Sequence, residues 1–210
     1  MNAKTSAGLL SARLLLATAF AATVFAVPGA NLRAQELVYQ DARPFRFFLG
    51  GGLTTGGDRL VTARYIDGSD ESLRGGGTVQ IHGGMQFQVA PALTMALSIG
   101  YHVDAIDTFW GSTWFGRWPL EGLAHFQLDR NWRIGGGIRY AIDPTLSSDG
   151  FASSVDEHFS SSVSPVVEIE YLFTPHMGLK LRAVNERYKS KIGLPTVDGD
   201  HLGLIFNYYF

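Results

Sequence analysis

Eight stretches between residues 44 and 210 alternate apolar with polar side chains, the period-two pattern of a β-strand whose two faces meet unlike surroundings. Residues 44–54 set Phe45, Phe47, Leu49 and Leu53 against Arg46, Phe48, Gly50 and Gly52. The pattern returns over 78–89, 93–103, 116–128, 132–142, 163–173, 177–186 and 201–210, where Leu202, Leu204, Phe206, Tyr208 and Phe210 share the last apolar face. Runs of about ten residues are long for a soluble sheet but match what a tilted strand needs to cross a bilayer.

The connections between these runs alternate in length. Three are tight and share one spacing, Val89 to Leu93, Leu128 to Trp132 and Phe173 to Met177, with Pro91 and Pro175 suited to the second position of a type I turn. Four are long and rich in Gly, Ser and Asp, near residues 55–77, 104–115, 143–162 and 187–200. Strict alternation puts every long loop on one rim and every short turn on the other, as in an antiparallel up-and-down barrel of eight strands.

Alternation alone does not say which face meets water, and a soluble ligand-binding barrel shares it. Side-chain volume separates the two. The polar face carries Gly84, Ala96, Ser98, Gly100, Gly135, Gly137 and Gly203, which fit a narrow interior, whereas the apolar face carries most of the large groups. Aromatic residues gather toward the two rims, Phe45, Phe47, Trp132, Phe173, Tyr208 and Phe210 near the short turns and Tyr101, Trp118 and Tyr140 toward the long loops. Two such girdles mark two membrane interfaces. The expected fold is therefore all-β, an eight-stranded antiparallel up-and-down transmembrane β-barrel over residues 44–210.

Segments such as PLEGLAHFQLDRNWRIGGGIRY (119–140), YLFTPHMGLKLR (171–182) and DGDHLGLIFNYYF (198–210) resemble the small eight-stranded outer-membrane barrels of Gram-negative bacteria, the OmpA/OmpX-like, porin-family type. The resemblance covers nearly the whole chain after residue 43 and concerns architecture rather than activity. It implies a cell outer membrane location and a monomer in contact with outer-membrane lipid and lipopolysaccharide. The final Phe206, Tyr208 and Phe210 resemble the C-terminal signal by which barrel-assembly machinery recognises such chains.

The beginning of the chain reads as an export signal. Lys4 and Arg13 precede an uncharged stretch from Leu14 to Val27, and small residues follow, with cleavage expected after Ala34 and a competing context at Ala26. Residues 1–34 would be the signal peptide and 35–43 a periplasmic N-terminal segment. Of 17 basic and 19 acidic side chains, the signal holds only Lys4, Arg13 and Arg33, so the remainder is acidic and nucleic acid is not an expected partner. With no cysteine, disulfides, thiolate nucleophiles and zinc–thiolate sites are excluded.

The inward face is expected to hold Arg46, Arg133, Arg139, Lys180 and Arg182 with Glu121, Glu168, Glu170 and Glu186, a near-neutral set that burial would force into pairs. That points to a structural barrel closed by paired charges, with a narrow pore as one alternative. A lipid-modifying enzyme is the other, for which Ser98, His102 and Asp104, or Glu121 with His125, are the only nearby sets. Strand neighbours four apart sit about 13 Å from one another, so neither set makes a catalytic group by itself, and no catalytic residue, cofactor or metal is expected. Surface contact would fall to the long loops. Phe109, Trp110, Trp114, Phe115 and Trp118 form an aromatic loop cluster, the third loop carries Asp143, Asp149, Asp156 and Glu157, and the fourth begins with the basic run Arg187-Tyr188-Lys189-Ser190-Lys191.

Overall fold

The computed structural model describes residues 44–64, 70–108, 111–150, 155–161, 163–191 and 196–210. The expected signal peptide (1–34), the segment 35–43, Phe109 and Trp110 lie outside the described residues. The strands are β1 (Phe45–Gly56), β2 (Arg59–Arg64), β3 (Asp70–Arg74), β4 (Thr78–Ala90), β5 (Leu93–Thr108), β6 (Gly111–Gln127) and β7 (Trp132–Gly150). They continue as β8 (Val155–Ser161), β9 (Ser164–Thr174), β10 (Met177–Val184), β11 (Arg187–Ser190), β12 (Val197–Asp198) and β13 (His201–Tyr209). Strands β1, β4, β5, β6, β7, β9, β10 and β13 pair antiparallel in that order, and β13 returns to β1 from Phe48↔Tyr209 to Gly56↔His201, closing an eight-stranded barrel.

The short turns are built by local chemistry. Pro91 and Ala92 join β4 to β5, and Pro175 and His176 join β9 to β10. Between β6 and β7 the Asp129 carboxylate accepts the N–H groups of Asn131 and Trp132, each at 2.8 Å, so an Asx turn sets the reversal.

Each wall strand turns its large apolar side chains outward. Leu49 (59 % exposed), Ile81, Leu97, Leu120, Ile138, Leu181 and Leu204 are among them, whereas Gln80, Glu121, Arg139, Glu168 and Arg182 are buried. An apolar surface of this extent is a lipid-facing belt. Aromatic pairs edge it at the short-turn rim, Phe45 with Phe47 (4.7 Å), Trp132 with Tyr171 (4.9 Å) and Tyr208 with Phe210 (5.0 Å), and Tyr101 meets Trp118 (4.8 Å) toward the opposite rim. The interior has no room to spare. A side chain at Gly52 would collide with the Leu204 carbonyl oxygen, and one at Gly137 with that of Gly122.

The long connections differ from their expected form. Stretch 104–115, expected as a loop, is mostly hairpin, with Ala105 opposite Trp114 and Asp107 opposite Ser112. Strand β7 runs on beside β6 to Gly150, β8 folds back on it, and β11 and β12 extend this sheet. Strands β2 and β3 form a separate hairpin within 55–77. Above the belt the outward face meets water instead of lipid, so the outward apolar row ends while the backbone ladder persists.

At this mouth a second hydrophobic core forms from Leu73, Phe115, Ala141, Phe159 and Tyr188, with Leu60, Val61, Leu146 and Val197 packed against it. The Phe115 ring lies 5.3 Å from Tyr188 and 5.9 Å from Phe159. The aromatic loop cluster is therefore corrected. Trp114, Phe115 and Trp118 sit on β6 rather than on a loop, and Phe115 is fully buried while Trp114 and Trp118 point outward. Phe115 shares the parity of Glu121, and so faces inward.

Candidate functional site

The bore is the candidate site, because period-two geometry drives every inward polar group into one narrow column. At the short-turn rim the Arg46 guanidinium lies 5.3 Å from the Tyr209 ring and donates to the Pro175 carbonyl. Next, Glu170 accepts from Arg133 Nε at 2.7 Å and from the Tyr209 hydroxyl at 2.6 Å, while Arg133 also donates to that hydroxyl and, at 3.2 Å, to Gln86. Asn207 donates to the Tyr209 hydroxyl at 3.0 Å.

A longer chain of alternating charge follows. Glu168 takes Lys180 Nζ and His125 Nε2, each at 2.6 Å, on one oxygen and faces Arg182 Nε at 3.8 Å with the other. Arg182 then reaches Glu121 at 2.8 Å, Glu121 accepts from Arg139 at 3.0 Å, and Arg139 Nε contacts Glu186 at 3.2 Å. Glu186 ends on Arg117 Nε at 3.8 Å. All of these side chains are buried. Register accounts for part of the order, since Arg182 on β10 stands opposite Glu168 on β9 and Arg139 on β7 opposite Glu121 on β6, whereas Lys180, opposite Glu170, reaches diagonally to Glu168. Such an array is affordable in a dry interior only when each charge has a partner.

Each of the nine inward charges named from sequence is buried: Arg46, Glu121, Arg133, Arg139, Glu168, Glu170, Lys180, Arg182 and Glu186. Sequence reasoning passed over Arg117, which stacks its guanidinium 5.1 Å from the Phe115 ring and 5.6 Å from that of Tyr188. It also left out Tyr209, Asn207 and the part played by the histidines. Counting parity back from Glu121 would have placed Arg117 inward.

The sets weighed for catalysis do not assemble. His102 is held by Thr54 Oγ1 at 2.7 Å and by Arg139 at 3.0 Å, and Asp104 accepts from the Arg74 N–H and the Thr78 hydroxyl. His125 meets Glu168, not Glu121. Among the described residues no hydrogen bond joins Ser98 to either His102 or Asp104, so a nucleophile–base contact is missing.

At the mouth, Asp58 and Asp198 clamp the base of the β2–β3 hairpin to the segment before β13. The Asp58 N–H donates to the Asp198 carbonyl at 2.7 Å, and the Asp198 N–H to the Asp58 carboxylate at 2.9 Å. Partial burial, with the neighbouring Asp198 carboxylate, raises Asp200 above the ordinary carboxylate range. Of the acidic third connection, Asp143 pairs with His158 at 3.0 Å, Ser147 donates to Asp156, and Glu157 is buried; the side chain of Asp149 lies outside the described residues. In the basic run, Arg187, Lys189 and Lys191 are exposed, whereas Tyr188 turns into the mouth core. The C-terminal Phe206, Tyr208 and Phe210 face outward, and the Phe210 N–H closes onto the Phe47 carbonyl at 3.0 Å.

No protein-family model matches the sequence, and no curated protein matches it. Among solved structures the chain is similar to Neisserial surface protein A, with a TM-score of 0.53 and 9% identity over 80% of this chain and 98% of that one. It is also similar to Ail, the attachment invasion locus protein of Yersinia pestis, in complex with the heparin analogue sucrose octasulfate, with a TM-score of 0.51 and 9% identity over 79% of this chain and 97% of Ail. At such identities the likeness is one of fold, and the fold of this chain is that of the small eight-stranded outer-membrane barrels.

Proposed function

We propose that the protein is a non-catalytic barrel of the Gram-negative outer membrane, with a closed lumen and a structural or surface-contact role carried by its long hairpins. The observation that carries this reading is the chain of buried charges across the bore. The cavity left between Phe48, His82, Ser98, His125 and Lys180 measures about 10 Å³, room for a single water at most. Nothing larger passes such a column without breaking ion pairs. With the bore filled, the hairpins above the belt are the surface on which specific contact would occur.

Planar-bilayer recording on the purified, refolded protein tests closure, and the expected result is no steady conductance. A large, stable conductance would sink the closed reading in favour of a pore. Cell fractionation tests location: recovery in the outer membrane with heat-modifiable gel migration is expected, and recovery as a soluble periplasmic protein would overturn it.

Phe206, Tyr208 and Phe210 are part of the same proposal, as the assembly signal. Phe210→Ser should sharply lower the amount of barrel inserted in cells. The mutant barrel that does form, refolded from urea into detergent, should differ from wild type by no more than about 1–3 kcal/mol, the value of one apolar side chain. Unchanged cellular levels would remove the signal reading.

A further inference from the structure

The outward face of one continuous stretch of wall changes chemistry at the belt's edge. On β10 the outward side chains are Met177, Leu179, Leu181 and Ala183, while Lys180, Arg182 and Val184 point into the bore. Across Asn185 and Glu186 the same parity continues onto β11, with Glu186 and Tyr188 buried and Arg187 and Lys189 exposed, and Lys191 is exposed in the turn just after the strand. Apolar groups border the point of change on both sides. Leu202, opposite Ala183 on β13, is 56 % exposed, and Val163, just before β9, is 62 % exposed. Three exposed cations thus begin where the lipid-facing belt ends.

Among the residues paired with β11, Asp198 alone is acidic. Strand β8 lies on one side, with Ser160 opposite Lys189, and β12 lies on the other, with Asp198 opposite Arg187. The Asp198 carboxylate accepts the Asp200 N–H at 2.9 Å, and none of the three cations forms an ion pair among the described residues. Spacing of two along a strand sets Arg187 and Lys189 roughly 7 Å apart on one face, with Lys191 following in the turn, a separation that favours several anionic groups over one small ion.

We propose that Arg187, Lys189 and Lys191 form a docking stripe for the phosphate groups of phosphorylated lipids in the leaflet around the long-hairpin rim. The occupant is a membrane lipid rather than free phosphate, because the stripe continues the lipid-facing surface and lies at the level where headgroups replace acyl chains. Charge-assisted hydrogen bonds to phosphate oxygens supply the contact. The proposal rests on the reading that the barrel spans a membrane.

The test uses the barrel folded into phosphatidylcholine vesicles, either alone or mixed with bisphosphorylated lipid A or with the same lipid A after enzymatic dephosphorylation. Loss of the compact gel band on heating gives the melting midpoint. Binding to the folded state raises that midpoint, so phosphorylated lipid A should raise it by several degrees over the dephosphorylated form, and added salt should shrink the rise. The variant Arg187→Ser/Lys189→Ser/Lys191→Ser should lose most of this rise, and the single change Lys189→Glu should lose part of it. Arg130→Ser, on the exposed turn at the other rim, should keep it. An undiminished rise in both stripe variants overturns the proposal, as does an equal rise in wild type from inorganic phosphate added to plain vesicles. Failure to form the compact band in every vesicle overturns the spanning reading, and the stripe with it.

Discussion

Arg139→Ala should be among the most damaging single substitutions in the bore, lowering stability by about 3–5 kcal/mol as read from the urea midpoint of the refolded barrel. The side chain is fully buried and joins Glu121 at 3.0 Å to Glu186 at 3.2 Å, besides donating to Gln80 and His102. Without it Glu121 keeps Arg182 at 2.8 Å, but among the described residues the one cation left to Glu186 is Arg117 at 3.8 Å. The cost is that of leaving carboxylates in a dry column, so removing charge on the other side should restore much of it. Arg139→Met combined with Glu186→Gln is expected to be more stable than Arg139→Met alone, a coupling that a double-mutant cycle measures. A loss below about 1 kcal/mol for Arg139→Ala would mean that water reaches the column and that the pairs behave like exposed ones.

Phe115→Ala should have an effect of similar size, about 3–5 kcal/mol for a large buried aromatic, but in a different place. Its ring contacts Phe159 and Tyr188 in the mouth core, above the level where the closed wall holds itself together. The loss is therefore expected as local opening of the hairpins. Limited proteolysis should cut the variant within β8 or β11 while the compact barrel band survives. Wild-type protease resistance would show that the hairpins are held by something other than this core.

The eight wall strands were legible in sequence because lipid on one side and a packed polar bore on the other impose a strict period of two. Leu49, Ile81 and Leu204 could be assigned outward, and Arg139 and Glu168 inward, from parity alone. That signal ends with the bilayer. Residues Asp143 to Gly150 continue β7, yet they carry no outward apolar row and so read as loop. The same blindness misplaced Phe115, which lies in the part of β6 that reads as connection, whereas Arg117 sits inside the alternating run 116–128, on the parity of Glu121. Pairing within the bore was legible only as a requirement. Which carboxylate meets which cation depends on stagger between strands, and alternation says nothing about stagger: His125 was matched on paper with Glu121 on its own strand, whereas it meets Glu168 across two strand boundaries.

The seam between β1 and β13 ties residues 48–56 to residues 201–209. The first strand to leave a ribosome must therefore wait for the last one, and every intermediate length of chain carries two raw sheet edges together with half a column of unmatched charge. A prematurely terminated copy has no way to complete itself, however good its remaining strands. Arrival of β13 thus completes the ladder and the charge column in one step, so closure is all or nothing.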